Sequence, residues 1–333
     1  MVFVLQVQNH SDPIQFTFKE GDVYLHTNLS EQLLSVLCQN GKLNDQTISI
    51  FDTKTTRLEK VVLQSSRDLS RKGLQMFRNH HIVDLEATDL KVTISDLIDS
   101  LSDWTLENLR SLNVNNCTFV DCSKMAVMVS LSKLRNLKTL NVSYTEFNNH
   151  GLVIIVEDLR FLESLDISET RVTEISPLSK CQDRLQVLLM HNLKISKSAI
   201  SVIAGLHQLR CLDVSRNSDS RFQAVYVLFD HITSPLSLSI NELLFQQKAL
   251  LSLEYLDISG CQGIKIDTLT NFLEFHPSLH FLGLLDCDAC YESIFTEKKH
   301  SLVVSQSTEK YYSISIDVNN ELFDCIYSGD RFC

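Results

Sequence analysis

A six-residue pattern, Leu-x-x-Leu-x-Leu, returns along this chain at nearly constant spacing, and this constrains the fold more than any other feature. Matches or near-matches start at Leu58, Ile82, Leu109, Leu137, Leu162, Leu185, Leu209, Leu253 and Leu279. Successive starts differ by 24, 27, 28, 25, 23, 24, 44 and 26 residues. All but the 44-residue step lie in or close to the range of roughly 20 to 29 residues at which one strand and one return segment form a stacking unit. The long step implies an insertion of about one repeat's length, which we place at 218–240 as a loop or irregular helix.

Between the matches, "TISDLIDSLS" (93–102), "CSKMAVMVSLSKL" (122–134), "NNHGLVIIVEDL" (148–159), "KSAISVIAGLHQL" (197–209) and "KIDTLTNFLEF" (265–275) carry apolar residues at helical spacing. Glycine, at 9 residues, and proline, at 4, are too scarce to favour irregular turns on that side. One strand and one helix per repeat predicts an α/β leucine-rich-repeat solenoid: a horseshoe with a parallel sheet on its concave face and helices on its convex face. Residues 53–290 hold the repeats, 1–52 form a divergent N-terminal segment, and 291–333 an irregular tail in which "YYSISIDV" alternates like an edge strand. Within the first segment, "NLSEQLLSVLCQNG" (28–41) reads as a short amphipathic helix capping the open end of the solenoid. Asn28 is its expected N-cap, Glu31 lies three residues on, and Gly41 stops it.

Asp166, Asp213 and Asp257 recur between the second and third apolar residues of their repeats, and Asn113 and Asn141 hold the same place in two more. On a strand that place faces away from the buried leucines. Repetition argues for a structural or binding-surface column on the concave sheet, because a catalytic residue is needed only once, in one distinctive pocket. Cys287 and Cys290 have zinc-knuckle spacing without a second ligand pair nearby, and Cys287 takes the turn position that Cys117 and Cys261 take in other repeats. His80 and His81 precede a repeat strand, where a turn or surface strand end is the expectation. The chain has no Gly-x-Ser-x-Gly elbow, Walker A loop or Gly-x-Gly-x-x-Gly. We therefore expect no catalytic residue, cofactor or metal.

A net charge of −11 disfavours nucleic acid and anionic membrane and leaves a protein as the expected partner. The start, "MVFVLQVQNHSDPIQF", lacks the features of a signal peptide, and "LVIIV" is the longest aliphatic run. These read as a soluble intracellular chain, cytoplasmic and/or nuclear, with its ten cysteines reduced and its four Asn-x-Ser/Thr sequons chance matches.

Several stretches together resemble the Zyg-eleven/Zer-one family of cullin-2 ubiquitin-ligase substrate receptors. They are "GKLNDQTISIF" (41–51), "TTRLEK" (55–60), "HHIVDLEAT" (80–88), "LESLDISETRVTEISPLSKCQDRLQVLLMHNLK" (162–194), "LHQLRCLDVSR" (206–216), "LEYLDISG" (253–260) and "PSLHFLGLLDCDA" (277–289). The resemblance implies a non-catalytic receptor that holds a substrate while a RING ligase transfers ubiquitin, with elongin B/C and cullin-2 as partners. Leu25, Leu29 and Leu33 match the family's cullin-2 box, with His26 standing where that box has proline. Leu34-x-x-x-Cys38 has elongin-box spacing, but Leu33 before it and Lys42 after it do not fit. The family's C-terminal armadillo-like domain has no counterpart here, which implies a truncated or divergent short member. The alternative is a stand-alone interaction module whose concave face exposes residues such as Lys138, Glu163, Arg210 and Glu254.

Overall fold

Ten short strands lie side by side in one parallel sheet, in strict chain order, in the computed structural model of the protein. The structure describes residues 5–8, 15–18, 23–64, 66, 68–119, 124–195, 198–216, 240–244, 249–261, 264–285, 287 and 303–305. The sheet comprises β3 (Lys60–Val62), β4 (Asp84–Glu86), β5 (Ser111–Asn113), β6 (Thr139–Asn141) and β7 (Ser164–Asp166). It continues through β8 (Val187–Leu189), β9 (Cys211–Asp213), β10 (Tyr255–Asp257), β11 (Phe281–Gly283) and β12 (Val303–Ser305). The second leucine of each motif is the middle residue of its strand. Leu85 pairs with Leu112, Leu112 with Leu140, Leu140 with Leu165, and so on to Leu282, without a slip. The molecule is a leucine-rich-repeat solenoid.

Short strands suffice because the described return segments, mostly α-helical, bury the same leucines from behind. These are α3 (Ile94–Asp99), α4 (Asp103–Asn108), α5 (Lys124–Leu131), α6 (Asn149–Asp158), α7 (Ala199–Ala204), α8 (Ile240–Leu244) and α9 (Ile266–Phe275). An earlier helical turn, α2 (Arg71–Leu74), follows β3. Leu162, Leu165 and Ile167 are fully buried, as are Ile155 and Leu159 of the helix side and Leu178 of the next return segment. That segment is a 3₁₀ helix, Ser176–Cys181, where Pro177 sits in the first turn and the short return favours the tighter winding.

At the N-terminal end the sheet is sealed by α1 (Thr27–Gln39). The expected cap at Asn28 is displaced: the helix begins at Thr27, with extended His26 before it making no side-chain capping bond. Glu31 reaches across instead, and its Oε1 accepts the amides of Glu59 (3.1 Å) and Lys60 (2.7 Å), while Cys38 Sγ donates to Val62 O (3.1 Å). The helix thus supplies side-chain partners to the edge strand β3.

Two observations bear on the expected boundaries. An antiparallel hairpin, β1 (Leu5–Gln8) with β2 (Gln15–Phe18), precedes α1 and places Phe18 in the core. Strands of four residues are too short for their alternation to be read from the sequence. Within the stretch expected to be an irregular tail, Val303–Ser305 is a strand paired in parallel with β11. The expected insertion at 218–240 and the "YYSISIDV" stretch fall outside the described residues, apart from Ile240, which opens α8.

Candidate interaction surface

The polar column read from the sequence turns out to be a row of strand stops. In every case the side-chain oxygen accepts the backbone N–H two residues later: Asn113 from Asn115, Asn141 from Ser143, Asp166 from Ser168, Asp213 from Ser215 and Asp257 from Ser259, all at 2.9–3.0 Å. This is the Asx turn, which only a short carboxylate or amide builds. The serine of Asp-x-Ser has a second task. Ser168 Oγ accepts the amide of His191 and Ser259 Oγ that of Leu285, each in the following repeat. Asn115 Nδ2 reaches Ser143 Oγ at 2.7 Å, and His191 Nδ1 lies 2.7 Å from Ser215 Oγ. One motif therefore ends a strand and stitches it to its neighbour.

The residue after the serine position turns left-handed in repeat after repeat: Asp89, Asn116, Tyr144, Glu169, Asn192 and Gly260 have φ between 53° and 68°. All six of their amides donate onward, Asp89 to Asn115 O, Asn116 to Ser143 O, Tyr144 to Ser168 O, Glu169 to His191 O, Asn192 to Ser215 O and Gly260 to Leu285 O. At Gly260 a Cβ would run into the carbonyl of Arg216, so glycine is required there by packing as well as by φ. The next position holds Cys117, Cys261 or Cys287, whose thiols donate to carbonyls of the preceding repeat, Ala87, Val214 and Ile258. Burial pushes the Cys117 thiol up to about 11 and Cys261 to about 12, so both hold their protons and act as donors. Cys290 lies outside the described residues. Among the described residues no group of three or more His, Cys, Asp or Glu is placed to hold a metal ion, and no helix is long and apolar enough to cross a membrane.

His80 departs from expectation. It is 2% exposed, not a surface strand end. Its Nδ1 accepts the amide of Leu58 (3.1 Å) and its Nε2 lies 2.7 Å from Phe51 O, which fixes the neutral ring with the proton on Nε2. Burial lowers its pKa, outweighing the Phe51 carbonyl. His81, one residue on, is exposed and stacks on Trp104 at 4.3 Å.

The outward strand positions, facing away from the leucine core, form the concave surface. From β3 to β7 they read Lys60, Val62, Asp84, Glu86, Ser111, Asn113, Thr139, Asn141, Ser164 and Asp166. From β8 to β11 they read Val187, Leu189, Cys211, Asp213, Tyr255, Asp257, Phe281 and Gly283. The face is thus polar over its first repeats and mostly apolar over its later ones, where Tyr255 and Phe281 stack in parallel at 4.3 Å. Five of these positions are carboxylates, Asp84, Glu86, Asp166, Asp213 and Asp257, and one, Lys60, is a cation. Asp213 is 1% exposed, whereas Asn141, Asp166 and Asp257 are half-buried, so the column predicted as a contact surface is graded in accessibility. Along the strand entrances, Lys138 pairs with Glu163 (2.8 Å) and Arg210 grips Glu254 through two bonds (2.9 and 2.8 Å), so the four charges named for the concave face neutralise one another.

Leu25, one of the three leucines matched to a cullin-2 box, is 4% exposed in the core, and Leu29 and Leu33 pack partly buried against it. The exposed side of this region carries Tyr24, His26 and Val36. The structure brings the box leucines together, facing inward.

No family model matches the chain. Among solved structures it is similar to an internalin C2 of Listeria monocytogenes, at 16% identity and a TM-score of 0.41 over 84% of this chain and 96% of that one. It is also similar to the Listeria monocytogenes internalin inlF, at 17% identity and 0.42 over 69% and 74%. A leucine-rich-repeat protein of Leptospira interrogans aligns at 15% identity and 0.39 over 78% and 79%.

Proposed function

We propose that this chain is a non-catalytic recognition scaffold that holds a protein partner on its concave sheet, and that it serves as a substrate receptor for a cullin-2 RING ubiquitin ligase. The observation that carries the scaffold reading is the division of labour within each repeat. Leucines fill the core, and the Asx and serine pairs stitch the turns. The outward strand positions, the Asx residues among them, form a surface graded from polar to mostly apolar, of the kind a solenoid presents to a partner. The ligase reading is supported by the resemblance of 162–194 and of the surrounding blocks to the Zyg-eleven/Zer-one receptors. Because Leu25, Leu29 and Leu33 face the core, a cullin-side contact at α1 falls to Tyr24, His26 and Val36 on its outer side.

The test is co-purification of the full chain with elongin B/C and cullin-2, alongside Thr139→Arg, which places a long cation in the middle of the concave face. Retention of both partners, with Val36→Asp weakening it, supports the receptor. If neither is retained and Thr139→Arg still blocks binding of a protein partner, the stand-alone interaction module is the correct reading.

A further inference from the structure

Two buried histidines differ in what their ring nitrogens meet. His80 meets one donor and one acceptor, which a neutral ring satisfies. His276, 2% exposed at the C-terminal end of α9, meets two acceptors: Nδ1 lies 2.7 Å from Phe272 O and Nε2 lies 2.9 Å from Ala249 O. A carbonyl oxygen only accepts, and a neutral imidazole has a single N–H to give. With one ring proton, a nitrogen lone pair is therefore left facing a carbonyl lone pair inside the core. With two, both contacts are hydrogen bonds and the ring is an imidazolium.

Three features of the site favour that cation. Phe272 O belongs to the last turn of α9, where unbonded carbonyls and the helix dipole attract positive charge. The Phe272 ring stacks on the imidazole at 3.8 Å and 17°, and an aromatic face attracts a cation. Carboxylates predominate among the charged and titratable groups of the surrounding elements: Asp267 and Glu274 of α9, Lys265 before it, Glu242 of α8, Glu254 ahead of β10 and His280 ahead of β11. Burial opposes the charge, and two charge-assisted bonds offset it.

The second of those bonds holds a strained turn. Leu250, next to Ala249, is 3% exposed and has φ 59°, a left-handed value that a leucine adopts only at a cost. Leu250 O accepts the amide of Leu253 at 2.9 Å on the way into β10, and His276 O accepts that of Leu279 at 3.2 Å on the way into β11. The ring thus ties together the entrances of two neighbouring strands. We propose that His276 is a proton-operated latch: as the imidazolium it clamps the turn at Ala249 and Leu250 to the end of α9, and on losing a proton it releases that turn and loosens the entrance to β10. The latch is independent of what the concave face binds.

The test uses the full chain with ¹⁵N-labelled histidine and follows the ring nitrogens by NMR. Those of His276, assigned by their loss in His276→Gln, should both carry protons at about pH 7.5, where the exposed His81, His150 and His207 each keep one. The unfolded chain gives up this proton first, so the latch's contribution is complete at low pH and is lost as pH rises, the opposite sign to a buried histidine held neutral. Exchange protection of the Leu253 amide, corrected for intrinsic rate and referred to Leu140, should fall roughly tenfold between about pH 6.5 and about pH 9. In His276→Gln it should not change with pH. If that variant does not fold, the ring is assigned through its contact with Phe272, and the two readouts on the parent chain decide. The proposal is overturned if either ring nitrogen of folded His276 lacks its proton at about pH 7.5, or if protection of Leu253 is equal at the two pH values.

Discussion

At the level of single residues, the recurring Asp-x-Ser is explained by two bonds that the sequence displays but does not announce. The periodicity located Asn141 and Asp166 on the outward face correctly. Their role as turn acceptors was not legible, because an Asx bond depends on the backbone bending two residues later, not on spacing. Asn141→Ala removes an acceptor used by both the amide and the hydroxyl of Ser143 and should lower stability by about 1–2 kcal/mol. Urea denaturation checks this, and an unchanged midpoint would show the turn to be self-sufficient. His80 makes a pH prediction. Its folded-state pKa is depressed below the ordinary 6.5 by burial, so as pH falls below that value the unfolded chain takes up a proton that the folded ring refuses. Stability from this site is complete above about pH 6.5 and declines as pH drops toward the folded value. The urea midpoint of the parent should therefore fall more steeply between pH 7.5 and 5.5 than that of His80→Gln, and parallel slopes would remove His80 from the account. The histidine pair reads as a surface turn because nothing in "FRNHHIVDL" reveals that the backbone carbonyl of Phe51, almost thirty residues upstream, is bonded by the first ring.

Among the elements, strands and return helices were the most readable part of the molecule, since nine imperfect copies of one pattern average out local ambiguity. The exceptions are short or lie at the ends. Helix α4 follows α3 after a break at Ser100–Leu101, and Ser102 caps it through the amide of Thr105, a signal too brief to separate from the preceding helix. Helix α1 is legible as an apolar stripe, yet its N-cap lies two residues before the expected Asn28, because Glu31, which resembles a capping-box partner, is spent on the amides of β3. Glu31→Ala should leave α1 helical but uncover those amides. Hydrogen exchange at Glu59 and Lys60 should then accelerate severalfold relative to Leu140 and Leu165. Equal protection in parent and variant would mean the edge is covered by packing alone.

For the whole molecule, stability should be distributed along a line, each repeat depending on its two neighbours. Leu165→Ala, at the centre of a fully buried repeat, should cost about 2–5 kcal/mol and loosen β6 and β8 before β3 or β11. Site-resolved hydrogen exchange distinguishes this from one cooperative collapse. The horseshoe itself was legible from periodicity; the split of its inner face into polar and apolar halves was not, because outward residues follow no repeat and only their stacking order brings Val187, Cys211, Tyr255 and Phe281 into one strip. The ladder of left-handed amides has a consequence for how such a chain changes over time. Across the 44-residue gap between Leu209 and Leu253, Val214 still donates to Asp257 and Arg216 to Ser259, just as shorter repeats bond to theirs. Length can therefore vary in the return segments with every rung intact, whereas one residue gained or lost between a strand and its left-handed turn would break the rungs to both neighbours. The chain is free to lengthen on its outside and to rewrite its inner face residue by residue, but not to alter the count from leucine to turn.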